Sequence, residues 1–97
     1  MGMPVTTTIY NLTPATKTPI ASAKQGRRSL VIQNIGASNP VSISTDSGMS
    51  AAEGIGLDPA SVAGGQGGSY ERFGDDCPVN AFWAYSTLGT KIVVQEG

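Results

Sequence analysis

Apolar side chains alternate with polar ones through Arg28–Ile35 and again through Val41–Thr45, and the breaks fall on Gly, Ser, Asn and Pro. A period of two is the mark of an extended chain with one buried face, so the pattern predicts consecutive antiparallel strands at Arg28–Ile35, Val41–Thr45 and Gly54–Pro59. In the first of them Leu30, Ile32 and Asn34 share one face and Val31, Gln33 and Ile35 the other. Because both faces carry apolar residues, this strand is expected to be central in its sheet.

The rest of the chain follows the same grammar more weakly. From Pro4 to Leu12, Val5, Thr7 and Ile9 alternate with Thr6, Thr8 and Tyr10, and the β-branched content favours an extended arm or a first strand. Thr13-Pro14 and Thr18-Pro19 interrupt it, because a residue before proline is held out of the helical region. We therefore expect residues 1–23 to form an arm or first strand and residues 24–97 to form the folded domain. Ile20–Ala23 is at best a short strand, and Lys24–Arg27 a polar turn. Between Asp46 and Gly54, Ser50 with Glu53 fits a capping box for a single helical turn. Gly64-Gly65-Gln66-Gly67-Gly68 reads as a flexible surface loop, since a phosphate cradle needs a strand before it and a helix after it, and here a strand follows. Ala81–Ser86 and Thr90–Glu96, joined around Leu88-Gly89, predict a closing hairpin. Seven or eight short strands with almost no helix imply an all-β domain, a β-sandwich or small barrel, with a jelly roll as one way to close it.

Composition narrows what such a scaffold does. A chain of 97 residues makes a single domain with a modest core, for which subunit association is a natural supplement. Charged residues are only 13% of the chain and the net charge is −1, which gives no basic face for nucleic acid and suits lasting contact with other proteins. The single cysteine, Cys77, has no internal disulfide partner, and the absence of histidine removes Ser/His/Asp and Cys/His nucleophile systems and makes a zinc site improbable. Met1–Pro4 shows no basic-then-apolar leader and no apolar run has bilayer length, so synthesis in a cytoplasm and no membrane partner are expected.

The candidate chemistry has a plain alternative at each position. Asp75-Asp76 offers two carboxylates to a calcium ion or forms a solvated turn. Asp46, Asp58 and Glu53 have no spacing that fixes the separation glycosidic acid/base chemistry requires. Trp83 and Tyr85, two residues apart on one strand face, and the unplaced Tyr70 are either glycan-stacking aromatics or anchors of a core or interface. Cys77 before Pro78 reads as a small buried filler. Asn11-Leu12-Thr13 matches a glycosylation triplet, which is a chance match without a secretion signal. No cofactor, metal ion or catalytic residue is expected.

The run RRSLVIQNIGASNPVSISTDSGMSAAEGIGLDP, residues 27–59, together with Tyr70-Glu71, the aromatic strand near Trp83 and the closing TKIVVQEG, resembles small structural proteins of tailed-bacteriophage virions. Those proteins combine an R-x-L-x-I-Q-N strand, an N-P-V-x-I strand, a G-I-x-L-x-P segment and a closing V-V-V-x-E strand. They serve as capsid decoration (cement) proteins or head fibres. The likeness covers roughly the last seventy residues and its motifs are structural; here Ala60 and a glycine-rich insertion replace the usual P-G after the third motif. The resemblance implies a non-enzymatic virion protein on the capsid surface, a homotrimer that bridges subunits of the major capsid protein. A carbohydrate- or host-surface-binding module of a head or tail fibre is the other reading. Val5, Thr7, Ile9, Tyr10, Arg27 and Arg28 are then the candidate capsid or subunit contacts.

Overall fold

The protein is described from a computed structural model covering residues 5–49, 54–62 and 64–97. Eight strands run in chain order: β1 (Thr6–Asn11), β2 (Thr18–Ala21), β3 (Ser29–Asn34), β4 (Val41–Ser44), β5 (Ile55–Leu57), β6 (Ser69–Phe73), β7 (Phe82–Tyr85) and β8 (Lys91–Glu96). A short 3₁₀ turn at Gly74–Asp76 interrupts them. They form two four-stranded sheets, ordered β1-β8-β3-β6 and β2-β7-β4-β5, and every pairing is antiparallel. This strand order is that of a jelly roll, in which the chain folds as a doubled ribbon and lays its strands alternately in two facing sheets.

Alternation places the core between the sheets. Leu30 and Ile32 from β3 and Ile92 and Val94 from β8 face Val41 and Ile43 from β4 and Phe82 and Ala84 from β7, all buried. As expected, β3 is central in its sheet, paired with β8 on one side and β6 on the other.

Two pairing expectations are overturned. The closing segments make no hairpin: β7 pairs with β2 and β4, whereas β8 lies in the opposite sheet between β1 and β3. Of the three consecutive strands, only β4 and β5 are neighbours, because β3 belongs to the other sheet. Loop length allows either a hairpin or a crossing, and here the need to cover both sheets decides for crossing.

The expectation of an N-terminal arm resolves to its other branch, a first strand. β1 pairs with β8 from Thr6–Glu96 to Asn11–Lys91, β2 pairs with β7, and Leu12, Ile20 and Ala21 are in the core. The domain therefore begins before residue 24. The glycine-rich loop is also not free. Gly67 N–H donates to the Asn34 carbonyl at 3.0 Å, Asn34 N–H to the Gly68 carbonyl at 3.0 Å, and Gly68 N–H to the Asp58 carbonyl at 2.9 Å. A Cβ at Gly67 would collide with the carbonyl oxygens of Asn34 and Asp58, so glycine is present for close backbone approach. The capping box at Ser50 and Glu53 lies outside the described residues. Before it, Asp46 Oδ1 accepts the Gly48 N–H at 2.8 Å in a turn.

Removing residues 1–23 tests how far the N-terminal strands belong to the domain. Deletion takes away an edge strand of each sheet and the Leu12 and Ile20 side chains. Losing even one such buried side chain costs about 2–5 kcal/mol, against a typical total stability of about 5–15 kcal/mol. The truncated chain is expected to lose its β-type far-ultraviolet circular dichroism at 25 °C, and retention of that spectrum would show that residues 24–97 fold alone.

Candidate functional site

The residues singled out from the sequence fall into three places. The first is a buried polar node. Arg27, in the turn after β2 where Gly26 adopts a φ of +78°, is 2% exposed and therefore no surface contact. This corrects its candidacy as a capsid-facing cation. Its Nε donates to Glu96 Oε2 at 2.9 Å, Nη1 donates to the Pro78 and Asn80 carbonyls, each at 2.9 Å, and Nη2 donates to the Ser22 carbonyl. A buried cation is tolerable only when its donors are satisfied, and the planar fork of arginine reaches several acceptors at once. Arg28, next in sequence, is exposed and sits 3.4 Å from Asp75, a pair too solvated to contribute measurably.

Cys77 lies beside this node. Burial pushes its thiol above the ordinary range and Glu96 adds to the shift, while Arg27 and Arg28 pull the other way. The raised value favours the inert thiol, as expected of a filler.

The second place is the outer face of the β1-β8-β3-β6 sheet. Cross-strand register sets Ile9, Val93, Gln33 and Ser69 in one row and Thr7, Gln95, Val31 and Glu71 in the next. Of these eight side chains only Glu71 is charged. Val5 and Ile9 are 58% and 56% exposed. Tyr10 is turned the other way, half-buried against the core, while Val5 before β1 and Thr7 and Ile9 on it are exposed.

The third place is the outer face of the β2-β7-β4-β5 sheet, where Trp83 and Tyr85 project together. Their neighbours across the sheet are small or slender: Pro19 and Ser44 beside Trp83, and Ser42, then Gly56, beside Tyr85. A groove of about 400 Å³ opens alongside Tyr85, lined also by Pro40, Gly56, Asp58, Thr87 and Leu88. Tyr70 does not join them. It sits on β6 of the opposite sheet with its ring 5.7 Å from that of Phe82, and Arg72 covers it with the guanidinium carbon 4.4 Å from the ring centroid. Strand spacing could pair Trp83 with Tyr85, but it could not show that Tyr70 faces inward. The groove itself was invisible, since Gly56 and Leu88 come from distant segments and carry no chemical signal.

Asp75 and Asp76 occupy the 3₁₀ turn, and no group of three or more His, Cys, Asp or Glu is arranged to hold a metal ion among the described residues. Asp46 lies in the loop after β4 and Asp58 follows β5, while Glu53 is outside the described residues. No protein-family model, curated protein or solved structure matches the chain.

Two measurements test this assignment of the node. Arg27→Ala leaves Glu96 and three backbone carbonyls without their donor and is expected to destabilise the fold by about 3–5 kcal/mol, read from urea unfolding; a loss of less than 1 kcal/mol would contradict a central role. The Cys77 thiol in the native protein is expected to react with Ellman's reagent at pH 8 only at the rate of unfolding, and immediate stoichiometric labelling would place it at the surface.

Proposed function

We propose that this chain is a non-enzymatic structural protein of a tailed-phage virion, decorating the capsid as a trimer and bridging subunits of the major capsid protein. The observation that carries the reading is the unprotected edge of β1. Exposed strand edges invite pairing with another chain, and proteins blunt them by shortness, charge, proline or bulges. Three of the four edges here are blunted: β2 has Pro19 and a register shift, β5 has three residues, and β6 has Glu71 and Arg72. β1 has six residues, Thr-Thr-Thr-Ile-Tyr-Asn, with no charge and no proline.

Beside that edge, Val5, Thr7 and Ile9 lead onto an outer face of the same sheet whose two middle rows carry one charge, Glu71, with Lys91 at its end opposite Asn11. Depletion of charge suits the centre of a protein interface, and strand addition tolerates so plain a sequence because backbone groups supply the bonds. The motif resemblance supplies the identity of the partner. Jelly rolls recur in viral capsid and lectin domains, a likeness of fold alone. Binding only to the assembled lattice would stabilise that lattice by mass action.

The test uses tailed-phage heads stripped of decoration. The purified chain should co-sediment with them and raise the temperature of genome release, while Ile9→Asp, exposed and harmless to the fold, should do neither. Light scattering should give a trimer. Release curves that coincide for bare and loaded particles would reject the cementing role.

A further inference from the structure

The groove beside Tyr85 has a chemistry that the decorating role does not use. Register places Tyr85, Ser42 and Gly56 in one row across β7, β4 and β5, so the half-buried Tyr85 has slender cross-strand neighbours on that side. Gly56 is decisive, because a Cβ built there would meet nothing within 4 Å and its φ is not in the left-handed region. Neither the backbone nor packing requires glycine at this position. What glycine does there is keep the groove open.

Both apolar and polar residues line this opening. Leu88, 69% exposed, and Pro40 add apolar surface to the Tyr85 ring. Asp58 and Thr87 belong to the same lining, and the Asp58 carboxylate and the hydroxyls of Tyr85 and Thr87 have no hydrogen-bond partner among the described residues. Trp83 continues the aromatic row one step along β7, and its indole N–H is likewise unpartnered among the described residues. The volume of about 400 Å³ is that of a small-molecule cleft.

An aromatic ring with a carboxylate residue and a hydroxyl residue in the lining beside it matches a molecule that has an apolar face and a polar edge. Pyranose sugars have that form, and rings whose hydroxyls are all equatorial have it most fully, with C–H bonds on both faces and donors all round the edge. A purely aliphatic occupant would instead leave Asp58 beside it without a donor, at a desolvation cost. We infer that the Tyr85–Gly56–Asp58 groove is a saccharide-binding site for gluco-configured, equatorial-hydroxyl glycans, with the ring stacked on Tyr85, hydroxyls donating to Asp58, and an adjoining residue reaching Trp83.

The inference is independent of capsid binding and is tested on the isolated full chain. ¹H–¹⁵N correlation spectra are recorded during titration with cellotriose, with cyclohexanol as an apolar probe of similar ring size. Cellotriose should shift the amides of Gly56, Asp58, Tyr85 and Leu88 saturably, with a dissociation constant of about 1 mM or tighter. Gly56→Leu should fill the groove without strain and weaken binding at least about tenfold with unfolding temperature unchanged. Tyr85→Ala should do the same by removing the stacking face, and Asp58→Asn should weaken binding several-fold. If Gly56→Leu does not fold, the shift map of the unaltered chain and the Tyr85→Ala titration decide the matter. Absence of saturable shifts with cellotriose, shifts confined elsewhere, or undiminished binding by a folded Gly56→Leu chain would overturn the site. Saturation by cyclohexanol alone would also overturn it and assign the groove to an apolar side chain.

Discussion

Every connection in this fold except β4–β5 passes from one sheet to the other, and the structure depends on satisfying the backbone groups that those crossings leave at the ends of the sandwich. A crossing loop takes its carbonyls away from the sheet ladders, and they must then find other donors. Two side chains answer this need, at opposite ends of β3. Before the strand, Arg27 gathers the carbonyls of Ser22, Pro78 and Asn80 together with Glu96. At its last residue, buried Asn34 donates to the carbonyls of Asn39 and Leu57 at 2.9 and 3.1 Å, while its oxygen accepts from Gly36 N–H and the Thr90 hydroxyl at 3.0 and 2.9 Å. Among the described residues, every buried side-chain polar atom has a partner.

These nodes also constrain what may vary. Hydrophobic contacts between the sheets set how much area is buried, but similar aliphatic side chains fill such space with modest loss. Arg27 and Asn34 have geometry as well as volume, so exchanging either leaves several acceptors stranded. They hold the loops while leaving the outer sheet faces free of structural duty. One outer face carries Glu71 and Lys91 among uncharged side chains and ends in an open strand edge; the other bears two aromatic rings among small residues. Under the two proposals, one of these faces meets a protein neighbour and the other a small ring.

Much of this was legible in the residues themselves. Period-two alternation located the strands because a half-buried strand must expose every second side chain, and it grouped Leu30 with Ile32 on one face of β3, which the structure turns inward to meet Val41 and Ile43 of β4. The match of Trp83 with Tyr85 followed from the same rule. Arg27 was less legible. Adjacent arginines in a polar turn look solvent-exposed, and only the presence of four acceptors around one guanidinium makes burial favourable. The glycine-rich loop misled for a similar reason, since glycine serves flexibility and close packing equally well, and Gly67 serves packing.

What the sequence by itself determined is therefore local: an all-β chain, the faces of its strands and the inertness of Cys77, each following from side-chain period, turn residues or the lack of an activating base. Strand pairing was decided only in three dimensions. Whether β8 returns to β7 or crosses to β1 and β3 depends on which arrangement buries both sheets at once, a property of all strands together. The groove at Tyr85 belongs to that second kind. Its ring comes from β7, its opening from a glycine on β5 and its carboxylate from the residue after β5, and only the jelly-roll order brings them side by side.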